Sequence, residues 1–154
     1  MNSELNKIDR LFDEIADGNN WTGINIQHAL LDIPAAIATQ RINQAHLNIA
    51  ELLSHLTCWN KVMVSRLDNQ NHQPAKEEDF PEIGKLTDGE WEDMKLEFFR
   101  SIHLLRGRLE NHEDKILDEP MFEGASDAYR NLHGQIGHLH YHLGQIVLLK
   151  KLLG

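Results

Sequence analysis

Apolar residues recur three and four positions apart through four stretches of the chain, the spacing that gathers them on one side of an α-helix. Between Ser3 and Asp17 the stripe is Leu5, Ile8, Phe12 and Ile15, and Gly18-Asn19-Asn20 ends it. A shorter amphipathic piece lies around Ile24 to Leu31, with Pro34 blocking its extension. The second long stripe, from Leu47 to Leu67, is Ile49, Leu52, Leu56, Trp59 and Met63. The third helix is predicted to start at Thr87, where Thr87-Asp88-Gly89-Glu90 has the form of a capping box. Its stripe is Trp91, Met94, Phe98, Ile102, Leu105 and Leu109. The fourth runs from Ala125 to Leu152 through Tyr129, Leu132, Ile136, Leu139, Leu143 and Ile146. The polar stretch Asp68 to Lys85, with Pro74, Pro81 and Gly84, predicts the longest loop, and Asn111 to Gly124 a second. No strand pattern or internal repeat interrupts this order. Helices with one apolar stripe each bury those stripes against one another, so the pattern predicts an all-α single domain over residues 1–154.

Composition narrows the class. A chain of 154 residues with 41% apolar content is large enough for one sizeable core. The longest apolar run, Ile146 to Leu153, is broken by Lys150 and Lys151 and falls short of the ~20 residues of a membrane span. The opening Met1-Asn-Ser-Glu-Leu5 lacks the basic-then-apolar order of a signal peptide, so a cytoplasmic location is expected. A net charge of −9, with scattered Lys and Arg, argues against nucleic acid as a partner. The single cysteine, Cys58, rules out an internal disulfide and reads more naturally as a small core residue than as a nucleophile or soft ligand.

The ten histidines change the picture more. His138 and His142 are four apart, which on a helix sets their Cβ atoms about 5–6 Å from each other. Two imidazoles so placed can converge on one ion. Gln135, His138, His142 and Gln145 form a polar stripe beside the apolar seam, where polar groups need partners. A metal is one such partner, and a hydrogen-bonded polar layer is the alternative. His55 borders the seam of the second long helix. Alone it reads as a hydrogen-bonded boundary histidine; with the pair it supplies the third nitrogen of a three-histidine site. Glu51, one turn before His55, is a weak candidate for a base or for a group orienting an imidazole, and Trp59 and Tyr141 are candidate pocket residues. His133 and His140, beside Gly137 and Gly144, lie on the opposite flank of the last helix and cannot easily reach the same ion. Paired Glu-x-x-His motifs of di-iron bundles, a nucleophile elbow, a phosphate loop and a dinucleotide fingerprint are all missing from the sequence.

Two segments carry a family resemblance. Ile49-Ala-Glu-Leu-Leu-Ser-His55-Leu-Thr-Cys-Trp59 and Gly137-His138-Leu-His-Tyr-His142-Leu-Gly-Gln-Ile146 resemble the second helix and the HxxYHxGQI signature of the DinB/YfiT-like family, with Trp21, Gly23 and Leu117 extending the likeness. The resemblance implies an up-down-down-up four-helix bundle, commonly a homodimer, with one divalent metal ion, zinc or nickel, on His55, His138 and His142. Some relatives transfer small thiols such as bacillithiol or mycothiol, and many have no known reaction.

The expectation is therefore a metal-dependent enzyme that activates water or a small thiol, of hydrolase or thiol S-transferase type, acting on a small molecule with neither nucleic acid nor membrane as partner. Its catalytic acid or base is not identified by the sequence. The rival readings are a non-catalytic metal-binding stress-response protein and a plain helical interaction module.

Overall fold

A computed structural model describes residues 3–44 and 46–154. Met1 and Asn2, the first residues of the segment without signal-peptide order, lie outside the described residues. Among the described residues seven α-helices follow one another: α1 Glu4–Ala16, α2 Ile26–Leu30, α3 Ala35–Ala38, α4 Ile49–Leu67, α5 Lys76–Asp79, α6 Asp88–Leu109 and α7 Ala128–Leu153, with a 3-10 turn at Asp114–Asp118. Among the described residues the only β-type pairing is an isolated bridge between Pro120 and Asp127.

The four long helices form where the apolar spacing predicts them, and side-chain caps fix their starts. Ser3 accepts from the Asn6 N–H at α1, and Asp127 from the Arg130 N–H at α7. Thr87 and Glu90 form the expected reciprocal box at α6. A second box, unforeseen, opens α4: Asn48 accepts from the Glu51 N–H at 2.8 Å while Glu51 accepts from the Asn48 N–H at 3.0 Å. At the end of the loop after α1, Gly23 sits at φ +75°, where a side chain would be strained.

Helix α4 packs on α6 and α7, and α1 packs on the same two from the other side. The register is legible in polar contacts. Asn60 and Lys61 meet Ser101 and Glu97, and Asp68, seven residues further along, meets Arg108, so α4 and α6 run in the same sense. Against α7 the order reverses: Arg66 meets Asn131, Asn60 meets Gln135 and His55 meets His138. The core runs through all four long helices and includes Phe12, Leu56, Trp91, Phe98, Ile102 and Ile146. Two expected seam positions lie off it: Tyr129 is 47% exposed and Trp59 is half-buried.

The connection from α4 to α6 does more than link them. Because α6 runs alongside α4 in the same sense, the chain must return along the length of α4 to begin it. The side-chain amide of Asn48 donates to the Ile83 carbonyl and the Ile83 N–H to Glu51, which anchors the returning strand of chain near the start of α4. Within this stretch, predicted as plain loop, the short helix α5 forms and brings Asp79 and Phe80 against His55.

Candidate metal centre

Helices α4 and α7 bring His55, His138 and His142 together, each offering a ring nitrogen, with all three nitrogens within 4.8 Å of one another. His55 and His142 are buried and His138 is half-buried. The rings meet edge to face, with centroids 4.6–4.8 Å apart. Among the described residues this is the group of histidine, cysteine or acidic side chains arranged to hold a metal ion.

Each ring is oriented through its Nδ1 by an oxygen acceptor. His55 Nδ1 lies 2.7 Å from Asp79 Oδ1 and 3.1 Å from the Asp79 carbonyl. His142 Nδ1 lies 2.6 Å from Gln145 Oε1, and His138 Nδ1 3.3 Å from Gln135 Oε1. These are the outer partners that hold a ligating imidazole in one tautomer and orientation. They fall three residues from their histidines on α7, one turn away, which is why a single polar stripe contains both ligand and support.

The tautomer of His138 can be followed back through a buried chain of donors. Ser101 Oγ donates to the Phe98 carbonyl at 2.6 Å, so it accepts from Asn60 Nδ2 at 3.0 Å. Asn60 Oδ1 then accepts from Gln135 Nε2 at 2.9 Å, which leaves Gln135 Oε1 facing His138 Nδ1. An oxygen acceptor there requires the proton on Nδ1. The Asp79 carboxylate imposes the same tautomer on His55. Both Nε2 atoms therefore present lone pairs, and they lie 2.8 Å apart. Two facing lone pairs repel unless a cation lies between them. On His138 a proton is the weaker solution: burial first, and then the neighbouring His142 and His55, lower its pKa to about 4. Burial likewise lowers that of His142. Imidazoles with converging Nε2 atoms and engaged Nδ1 atoms fit a divalent metal of zinc-like preference.

The surroundings are aromatic. Phe80 stacks on His55 with centroids 4.1 Å apart and planes 13° from parallel. Trp59 stands edge-on to His138 at 6.0 Å and donates its indole N–H to Asp79 Oδ1 at 2.7 Å. Tyr141 is 64% exposed, with its ring 4.9 Å from that of His142, so it borders the centre from the solvent side.

Glu51 is placed differently from its expected role. Its carboxylate is buried and accepts from Arg41 and the N–H groups of Ile83 and Asn48. It closes the start of α4, and the carboxylate at His55 is Asp79. Cys58 is buried and outside the cluster; burial first, then the charges of Glu78 and Asp79, push its thiol up to about 11. His140 faces another recess, beside Leu11, Trp21 and Ile24, away from the centre. Asp79 and Phe80 escaped the sequence reading because a polar loop has no periodicity to say which residue turns inward. The only signal was the carboxylate-rich run Glu77-Glu78-Asp79 ahead of an isolated Phe.

Comparison with family models gives a match to the DinB superfamily over residues 21–146, a span that includes His55, Asp79, Phe80, His138 and His142. Comparison with curated proteins and with solved structures gives no match.

Proposed function

The chain belongs to the DinB superfamily, and we propose that it is a metal-dependent member, holding one zinc or nickel ion on His55, His138 and His142 and activating water or a small thiol as a hydrolase or thiol S-transferase. The observation that carries this reading is the pair of Nε2 atoms facing each other across 2.8 Å while both Nδ1 atoms are engaged by oxygen acceptors. A divalent ion on three imidazoles supplies Lewis acidity and lowers the pKa of water or a thiol that joins it.

The chain's own residues prepare that chemistry. Asp79 holds His55 in its tautomer and adds a negative charge behind it. Gln145 and the Gln135–Asn60–Ser101 chain do the same for His142 and His138 with neutral groups. Phe80 and Trp59 keep water from the His55 side. Cys58, buried and held protonated, is not drawn into the ligand set, so three protein nitrogens leave room for an exchangeable fourth position. Cobalt substitution tests this: azide or a small thiol should change the visible ligand-field bands. A spectrum indifferent to both, with a cobalt–thiolate charge-transfer band, would show a closed site including Cys58 and would end the enzyme reading.

The helix contacts support the up-down-down-up bundle, since α4 and α6 run in the same sense and α7 against them. A homodimer is proposed with it. Exposed Tyr141, Leu148 and Leu152 give α7 an apolar outer face, and Gly137 and Gly144 leave open space along it. Sedimentation of a monomer at high micromolar concentration would refute this. No helix among the described residues is long and apolar enough to cross a membrane, and a cytoplasmic setting with a small-molecule substrate is part of the proposal.

A further inference from the structure

The groove between α4 and α7 opens, next to the histidines, into a recess of about 360 Å³. His138 and Trp59 form the wall shared with the centre, and Arg66 from α4 and Arg130 from α7 also line it. The lining contains no carboxylate, in a chain with 24 acidic and 15 basic residues.

Arg66 is unusual in its surroundings. Its guanidinium carbon lies 5.4 Å from the Trp59 ring centre and 5.3 Å from that of Phe122, so the two aromatics hold it. Nη1 donates to Asn131 Oδ1 at 3.2 Å, and the buried Nε has no partner. Among the described residues no carboxylate pairs with Arg66 or with the exposed Arg130. A half-buried cation without a counter-ion is costly to keep. A guanidinium fixed by aromatic rings is prearranged for a planar or tetrahedral anion.

Spacing ties the arginines to the histidines. Arg130, Gly134 and His138 succeed one another at four-residue intervals on α7, which sets Arg130 about 12 Å from His138 along the helix axis. Gly134 occupies the middle of that row, and a Cβ there would meet nothing within 4 Å, so the row is open between its ends.

We propose that this recess is the substrate site of the histidine centre, and that it takes an extended small molecule whose carboxylate or phosphate end is held by Arg66 and Arg130 while its reactive group reaches the three histidines. The proposal rests on the metal-centre reading above.

The test uses cobalt-loaded protein titrated with 6-mercaptohexanoate, an extended thiol with a terminal carboxylate, and with uncharged 6-mercaptohexanol, following the ligand-field bands. The charged thiol should act at about tenfold lower concentration, as one charge-assisted contact implies. Arg66→Met should abolish that advantage and Arg130→Gln reduce it, with the 6-mercaptohexanol response unchanged in both. Arg130 is exposed, so its variant keeps the test valid even if Arg66→Met folds poorly. Inorganic phosphate and succinate should each compete with the charged thiol, and the stronger competitor identifies the anionic end. Equal action of the two thiols on the wild type, or an advantage surviving both substitutions, overturns the proposal and leaves the metal reading standing. If cobalt binds stoichiometrically yet neither thiol moves the bands, the open-position reading fails instead. Calorimetric binding of phosphate or succinate, lost in Arg66→Met, would then preserve the arginine site alone, and its absence would remove that too.

Discussion

At the scale of single residues, the facing Nε2 atoms of His55 and His138 make ligand identity testable. Both rings are fixed through Nδ1, so neither can flip its tautomer to donate to the other without abandoning a hydrogen bond. His55→Ala, His138→Ala and His142→Ala should each lose most bound metal, whereas His140→Ala, in a recess on another face, should keep it. Metal analysis of protein purified without a polyhistidine tag checks this, and equal loss in His140→Ala and His138→Ala would reject the ligand set. The same residues set a pH dependence. His138 is depressed from 6.5 to about 4 in the folded chain. Between those values the unfolded chain binds more protons, so the stability this group contributes is intact above pH 6.5 and is lost as pH falls towards 4. Thermal midpoints of the metal-free protein should therefore drop across that window, and His138→Gln should flatten the drop. A wild-type profile level from pH 6.5 to 4 would contradict the assigned burial and tautomer of His138.

Elements decide which carboxylate serves the centre. Glu51 lies one turn before His55 in sequence, yet the capping box at Asn48 turns it towards the start of α4, Arg41 and the Ile83 N–H. Glu51→Gln should consequently cost stability, roughly 1–3 kcal/mol for a buried acceptor that loses its charged partner, and leave metal stoichiometry unchanged. Denaturant unfolding and metal content read the two effects separately; loss of metal without loss of stability would return Glu51 to the centre. Asp79→Asn should do the opposite, weakening metal binding about 10–100-fold while far-UV circular dichroism stays that of the wild type. The contrast explains what was legible in the sequence. Helical periodicity places His55 on one stripe and Gln135, His138, His142 and Gln145 on another, because a helix converts spacing directly into direction. The Asn48-x-x-Glu51 signal was present too, but a glutamate one turn from a histidine has two readings, and only the path of the chain through Ile83 chooses between them. Asp79 and Phe80 depend wholly on that returning path. A loop's inward face is set by where its ends are anchored, which local sequence does not encode.

On the scale of the whole molecule, the metal centre and the core are separable. The buried apolar cluster extends through α1, α4, α6 and α7, and its largest members, Trp91, Phe12 and Phe98, lie on helices that contribute no histidine to the centre. What the histidines join is α4, α7 and the connection that carries α5. Removing the ion should therefore loosen that connection without unfolding the helices. A ligand bound only to the folded state adds RT ln(1 + [L]/Kd), roughly 2.7 kcal/mol when free metal is a hundredfold above Kd. For a domain of this size that corresponds to a fall of about 5–10 °C in melting temperature on chelation. The apo protein should retain its helical far-UV signal, since capping and apolar seams persist. Amide exchange should resolve the difference by place. Protection across residues 76–83 should fall when the metal is removed, because Asp79 and Phe80 are held against a ligand ring. Protection towards the end of α6, around Leu105 and Leu109, should stay unchanged, because those side chains pack into the apolar core. Uniform loss of protection along the chain, together with collapse of the helical signal, would make the ion a condition of folding and would defeat this separation of centre from core.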